Sequence, residues 1–256
     1  MYITALFSIK GGVGKTSTAV NLAYLSAASG VRTLLWDLDP QAASSFYLRV
    51  DASIKGGIEG VFEKNTDKRI KGTDYPNFDL LPSDWSYRNL DLYFHAQKKP
   101  KQQIRRFLQE FSGNERTYAG AYEHIFIDCP PGFTLLSENI LRAADDLLVP
   151  IIPTTLSLRT LDQLLEMTAL PKCNHLRILP FLSMVDGRKR LHRDTMTQLQ
   201  TQRRVLRSYI PYSSDVEKMG LRREPLVAYA PRSAAGHAFK LLWSELQNRV
   251  ATLKQK

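Results

Sequence analysis

Cysteine is nearly missing from this sequence: Cys129 and Cys173 are the only two, far apart and without metal-ligand spacing. That excludes a disulfide framework and a zinc site built on thiolates, and a reducing cytoplasm suits such a chain best. Long apolar runs are lacking as well. No stretch approaches the ~20 apolar residues needed to span a bilayer. The first apolar residues follow no charged n-region, so no signal peptide is expected. Internal repeats and low-complexity segments are absent, and 256 residues suffice for one α/β domain with a substantial core, read as 1–256. Acids are scarce relative to bases. The 35 Lys and Arg stand against 25 Asp and Glu, a formal net charge of +10. That is high for an enzyme of small molecules and favours polyanionic partners.

What is present is a glycine-rich octapeptide, Lys10-Gly11-Gly12-Val13-Gly14-Lys15-Thr16-Ser17. It follows the apolar run 2–9 and opens an Ala/Leu-rich segment, 19–28, that stops at Gly30. This context reads as strand, glycine loop, helix. Glycines let backbone N–H groups turn inward around a phosphate, and the helix N-terminus adds its positive dipole end. Lys15 can then reach the β- and γ-phosphates, and the Thr16 hydroxyl is placed to ligate Mg²⁺. Ile9 stands where the usual phosphate loop has its first glycine, while Lys10 adds a second lysine at the loop's start. A glycine turn without ligand is the plain alternative, and the flanking strand and helix argue against it.

Two acidic strand ends follow. The apolar run 31–36 predicts a buried parallel strand ending in Asp37-Leu38-Asp39-Pro40-Gln41. Period-two alternation turns Asp37 and Asp39 to one side, and Pro40 puts Asp39 on a loop able to switch. Ile125-Phe126-Ile127-Asp128-Cys129-Pro130-Pro131-Gly132 delivers a third acid to a strand end, a Walker B arrangement in which Asp128 holds the Mg²⁺ shell through water. With no partner base evident, Cys129 reads as a packing residue rather than a nucleophile.

Elsewhere the pattern predicts strands over 77–82, 146–152, 177–184 and 208–211. Helices are predicted over 85–94, 102–111, 135–144, 156–170, 191–208 and 234–253, with 42–77 showing little beyond glycine turns. The last helix carries Phe239, Leu242, Trp243, Leu246, Val250 and Leu253 in a stripe expected to face the core, a membrane-surface helix being the alternative. The run Lys98-Lys99-Pro100-Lys101 reads as a solvated loop that could touch a polyanion. Between Arg188 and Arg223 ten Lys and Arg stand against three acids, a net +7. A nucleic-acid surface and a plain solvated face weigh about equally on charge alone.

These motifs resemble a known family. KGGVGKTS is similar to the deviant Walker A motif of the ParA/MinD ATPases, the signature-lysine group of phosphate-loop proteins. DLDPQ resembles their switch I motif and IFIDCPP their Walker B motif. LLPSD, AADDLLVPIIPTTLSLRTLDQLL and IPYSSDVEKMGLRREPLVAYAPRS extend the likeness over nearly the whole chain, closest to the small Soj-like ParA proteins. The resemblance implies a doubly wound, mostly parallel sheet flanked by helices. It implies a slow, partner-stimulated ATP hydrolase with ATP and Mg²⁺ as cofactors and a homodimer formed on ATP. Lys15 would serve its own subunit's nucleotide and Lys10 the partner's. Thr16, Asp37, Asp39 and Asp128 would serve the metal, with Asp39 also orienting water, and Met184, Pro211 and Tyr212 would lie near the base. It further implies binding of DNA without sequence preference, with Arg188, Arg190, Arg203, Arg204, Arg207, Arg222 and Arg223 as candidates. The expected setting is the cytoplasm at the nucleoid, with a ParB-like or other adaptor stimulating hydrolysis while a plasmid, chromosome or protein assembly is positioned. A MinD-like membrane-surface ATPase is the alternative.

Overall fold

The computed structural model describes residues 1–62, 69–109, 111, 122–168, 173, 175–202 and 204–254, the last five by their backbone alone. Eight strands form one sheet: β1 (Tyr2–Leu6), β2 (Thr33–Asp37), β3 (Lys71–Gly72), β4 (Phe78–Leu81), β5 (His124–Asp128), β6 (Asp146–Ile151), β7 (Arg177–Val185) and β8 (Tyr209–Pro211). Their order is β3-β4-β2-β5-β1-β6-β7-β8, and every pairing is parallel except the short antiparallel contact of β3 with β4. Strands buried on both faces need continuous apolar runs, and Leu34-Leu35-Trp36, Ile125-Phe126-Ile127 and Leu147-Leu148-Val149 supply them.

Twelve helices accompany the sheet among the described residues. They are α1 (Lys15–Ala28), α2 (Ala43–Tyr47), α3 (Gly57–Phe62), α4 (Leu90–His95), α5 (Gln103–Gln109), α6 (Leu135–Ala143), α7 (Thr155–Thr168), α8 (Arg190–Thr201), α9 (Ser214–Glu217), α10 (Met219–Arg222), α11 (Leu226–Tyr229) and α12 (Ala234–Lys254). Alternate residues of each strand feed two cores on opposite faces. Leu34, Trp36, Ile125 and Ile127 pack with apolar residues of α3 to α8, whereas Leu35 and Phe126 pack with α1, α11 and α12. The stripe of α12 does face this second core: Phe239 and Leu242 are fully buried, and Trp243 lies against His124 and Phe126. Val250 and Leu253, the end of the stripe, lie where only the backbone is described.

The chain runs from β1 through α1 to one side of the sheet and from β5 through α6 to the other. β1 and β5 therefore border the point where the winding reverses, and in open α/β sheets ligands bind at the carboxyl ends of such strands.

The doubly wound, mostly parallel sheet is as predicted, with local differences. The helix predicted over 191–208 stops at Thr201. Beyond it Val205 and Leu206 are buried, Leu206 N–H donates to Pro180 O at 2.7 Å, and Glu245 accepts from the N–H groups of Arg207 and Ser208. These tertiary partners take the donors that a helix would have used. The segment 85–94 divides into a 3₁₀ turn, Trp85–Asn89, capped by Asp84, followed by α4. The unreadable stretch 42–77 holds α2, α3 and the edge strand β3, all shorter than a periodicity can reveal. Of the helix predicted over 156–170, residues 169 and 170 lie outside the described residues.

Candidate functional site

The loop between β1 and α1 is shaped by its glycines. Gly14 has φ 90°, and a Cβ there would stand 2.9 Å from Ser183 Oγ of β7, so both its backbone and its neighbour exclude a side chain. Gly12 has φ 69°, and the space beside Gly11 and Gly12 is open, with no atom within 4 Å of a notional Cβ. Thr18 Oγ1 and Ser17 Oγ donate to Gly14 O at 2.7 and 3.3 Å, tying the first turn of α1 to the loop. No side chain caps this 14-residue helix, and its first turn carries no acid. Its leading N–H groups and dipole end are thus offered to an external anion.

Two lysines attend the loop. Lys15 is buried, and Nζ finds only the Lys10 carbonyl, at 3.4 Å, with no carboxylate in ion-pair distance among the described residues. A buried ammonium so weakly partnered calls for an anion. Lys10 lies at the loop's mouth, half-buried, its ammonium without a partner among the described residues.

Three acids face the loop from the strand ends. Asp37 and Asp128 are directly opposite each other across β2 and β5, both fully buried. Asp37 Oδ2 accepts from Ser45 N–H and Ser45 Oγ, each at 2.8 Å, and Oδ1 from Asp39 N–H at 3.3 Å. Asp128 Oδ2 accepts from Ser44 Oγ at 2.8 Å, while its buried Oδ1 has no hydrogen-bond partner. Burial, and then the charge of Asp128, push the Asp37 carboxyl above the usual carboxylate range. Burial lifts Asp128 as well, against the pull of the Ser44 and Thr16 hydroxyls and the Lys15 ammonium. Two buried carboxylates side by side repel each other, and a divalent cation relieves them. The donors suit Mg²⁺. A hydroxyl, an orphaned carboxylate oxygen and a second carboxylate leave room for water and phosphate. No cluster of three or more His, Cys, Asp or Glu forms a ready-made cage among the described residues.

Asp39 lies beyond the strand end, half-buried, with Oδ1 accepting from Gln41 N–H at 3.0 Å and its charge reaching Asp128. Cys129 is buried beside it, and burial holds the thiol well above its ordinary pKa, as expected of a packing residue. Ser44, Ser45 and Ser183 went unmarked in the sequence. Only the closeness of Ser44 and Ser45 to Asp37 along the chain hinted at them, and Ser183 carried no signal. Met184, Pro211 and Tyr212 come together where β7 bulges against β8. Met184 has φ 55°, and Tyr212 N–H donates to Val185 O at 3.0 Å. Tyr212 is exposed, and its hydroxyl donates to Glu217 at 2.8 Å.

The basic segment divides into three groups. Arg188 and Arg190, at the start of α8, are paired with Asp186 and Asp194. Arg204 is paired with Asp162 of α7, and Arg207 is exposed near α12. Arg222 and Arg223 end α10. Arg222 lies over Tyr229, and Arg223 lies 4.6 Å over Phe46 of α2 while its Nε donates to Phe46 O. Arg203 lies outside the described residues.

With this geometry in place, known proteins fall into line. The sequence profile of the AAA domain family matches residues 1–177. The chromosome-partitioning ATPase Soj of Thermus thermophilus is 30% identical over 254 residues, covering 96% of this chain and 95% of Soj. The sporulation initiation inhibitor protein Soj of Bacillus subtilis is 28% identical over 254 residues, covering 95% and 97%. Among solved structures, the septum site-determining protein MinD of Pyrococcus horikoshii, complexed with Mg-ADP, superposes with a TM-score of 0.73 at 24% identity, covering 99% of this chain and 98% of that one. At that identity the superposition speaks for the fold, and the near full-length match to Soj carries the rest: this chain belongs to the AAA domain family, among the Soj/ParA partition ATPases.

Proposed function

We propose that this protein is an ATPase that binds Mg²⁺ and ATP at the carboxyl edge of its sheet, dimerises on the nucleotide, holds DNA without sequence preference and positions a large cargo. The observation that carries this reading is the loop itself. An uncapped helix N-terminus and a buried, weakly partnered Lys15 face a buried carboxylate oxygen of Asp128 that lacks a partner. One end asks for anions and the other for a cation, and a nucleotide with its metal supplies both.

Each residue then has a role in binding or positioning. The N–H groups of Gly11, Gly12, Val13, Gly14, Lys15, Thr16 and Ser17 hold phosphate oxygens, and Lys15 neutralises the β- and γ-phosphates. Mg²⁺ supplies charge neutralisation on the transferring phosphoryl group. The Thr16 hydroxyl and the carboxylates of Asp37 and Asp128 hold the metal shell, and Ser44 and Ser45 hold those carboxylates. Asp39, on its short loop, orients the attacking water. Met184, Pro211 and Tyr212 border the base. Lys10 reaches across to the nucleotide of a second copy. A cation supplied in trans makes hydrolysis conditional on association, because phosphoryl transfer depends on positioning and charge. Slow hydrolysis stimulated by a ParB-like or other adaptor follows from that logic, in a cytoplasmic, nucleoid-associated cycle.

The net +7 of residues 188–223 supports DNA as the anionic partner. Arg223 leans on α2, the helix that follows Asp39 and binds both buried carboxylates through Ser44 and Ser45, which offers a path from nucleotide to the basic surface. A membrane-surface reading needs a free apolar face on α12, and Phe239, Leu242 and Leu246 are buried in the core. Light scattering with ATP and Mg²⁺ tests the trans lysine: the wild type doubles in mass and Lys10→Ala stays monomeric, whereas a normal dimer of that variant refutes the role. Fluorescence anisotropy with a labelled duplex tests the DNA reading. ATP-dependent, salt-sensitive binding is expected, and its absence at low salt overturns it. Liposome sedimentation with ATP, if positive, would move the assignment to the membrane surface.

A further inference from the structure

The run Lys98-Lys99-Pro100-Lys101 takes on meaning from what it adjoins. A 3₁₀ turn, Pro100–Gln102, leads it into α5, and Asn139 of α6 holds the junction. Its Oδ1 accepts from Gln103 N–H at 2.7 Å, and its amide donates to Pro100 O at 2.8 Å. Packed in this way, α5 and α6 place Gln102, Arg105, Arg106, Gln109 and Arg142 around one open depression of about 400 Å³. Arg105 and Arg106 are exposed and Arg142 half-buried. None of the three guanidinium groups has a carboxylate in ion-pair distance among the described residues. The nearby Glu138 is held by Lys101 at 2.8 Å. Lys98 and Lys99 stand exposed beside them. By contrast, Arg188, Arg190 and Arg204 of the more obvious basic segment each have an acid partner.

Like charges gathered around a concavity raise its potential and draw in counter-anions. The lining chooses among anions. Among the described residues its polar lining is guanidinium and amide groups, the groups that hold phosphate oxygens. Among the described residues no aromatic or branched aliphatic side chain lines it, such as a peptide needs as an anchor and an organic ligand as a pocket. The depression is also apart from the phosphate loop. The helix α6 leaves the carboxyl edge after Asp128, and Arg142, near its far end, lies about 10 Å along the axis from its start.

We infer that the α5/α6 depression is a second contact surface for the backbone phosphates of duplex DNA, and that it works without bound nucleotide. The inference rests on the proposed DNA reading only for the class of partner. Its guanidinium groups stay charged whether or not nucleotide is bound, so it keeps a weak hold on DNA while the ATP-dependent surface is released.

Anisotropy of a labelled random-sequence duplex against the full chain, titrated with NaCl with and without ATP, tests it. The triple variant Arg105→Gln/Arg106→Gln/Arg142→Gln is expected to weaken nucleotide-free binding at low salt about tenfold or more. It should also flatten the slope of log affinity against log salt by about 2 to 3, one phosphate contact being worth roughly 0.9. The corresponding Arg→Lys triple should retain the slope, and ATP turnover in both should match the wild type. An unchanged affinity and slope in the Gln triple overturns the assignment. So does competition by polyglutamate at the same charge concentration as effective as that by unlabelled duplex, which would indicate an acidic polypeptide. The variant Arg207→Gln/Arg222→Gln reads the other surface. If it alone abolishes an ATP-dependent increment while the Gln triple changes nothing, the proposed function stands and this inference falls. If ATP adds no increment but the Gln triple still weakens binding, the reverse holds.

Discussion

The two ends of the strand pair β2–β5 are built in opposite ways. At the amino end Thr33 lies opposite His124, and the side chains of both find polar partners. His124 Nε2 meets Thr4 Oγ1 at 2.9 Å, Ser26 Oγ meets Thr33 Oγ1 at 2.8 Å, and Arg177 holds Asp146 through two contacts of 2.7 and 2.8 Å while donating to the Tyr2 hydroxyl. At the carboxyl end Asp37 lies opposite Asp128, two buried acids side by side, one of them with an orphaned oxygen. Buried polar groups are normally satisfied, so the amino end is what folding by itself favours. The carboxyl end carries a cost that only a ligand relieves, as functional sites commonly do.

That contrast can be broken at either end. The largest effect is expected from Lys15→Ala, which removes the buried cation aimed at the phosphates. ATP turnover should fall at least ~100-fold, with unfolding of the nucleotide-free protein little changed. Turnover near wild type would disprove the phosphate role. Next, Asp128→Asn removes the like-charge pair. Turnover should again be lost, yet the thermal midpoint of the nucleotide-free protein at pH 8 should rise. A gain of about 1 kcal/mol corresponds to roughly 2–4 °C for a chain of this size. A lowered midpoint would mean that the pair is not strained.

The same operation at the amino end should do the reverse. Arg177→Ala leaves the buried Asp146 carboxylate unpaired and should cost about 2 kcal/mol in chemical denaturation, discounted because the guanidinium is partly exposed. Turnover per folded molecule should be unaltered. A last effect, absent at neutral pH, concerns His124, whose imidazole is driven down to about 3, first by burial and then by the nearby N-terminal ammonium. The unfolded chain takes up this proton at about pH 6.5 and the folded chain only near 3, so acid favours unfolding between those values. The thermal midpoint should decline as pH falls from 6.5 toward 3, and His124→Gln should flatten that decline. An equal decline in the variant would assign it to other groups.

How much was legible follows from the range of the interactions. Lys15, Thr16 and the glycines could be read because the loop's conformation is set by neighbours within a few residues. Asp37 and Asp128 could be read as strand-end acids because apolar runs deliver them there. Their direct opposition could not, since it is fixed by parallel register between strands far apart in the chain. Nothing local tied Ser44 to Asp128, which it holds from 84 positions away, and Ser183, against Gly14, had no local signature at all. The helix predicted over 191–208 ended early for the same reason: the Pro180 carbonyl and the Glu245 carboxylate, both distant in sequence, offered partners no periodicity encodes.

Charge shows the division again. Counting residues singled out 188–223, but composition is blind to pairing, and folding gave Arg188, Arg190 and Arg204 acid partners while gathering Arg105, Arg106 and Arg142 without any among the described residues. The sequence by itself determined the phosphate loop, the alternation of strands and helices, and the acids at the strand ends, because backbone geometry and burial periodicity are local properties. The tertiary structure alone decided that two of those acids meet directly across the strand pair, that serines of α2 hold them, and which arginines lack an acid partner among the described residues, because these depend on atoms brought together across the sheet.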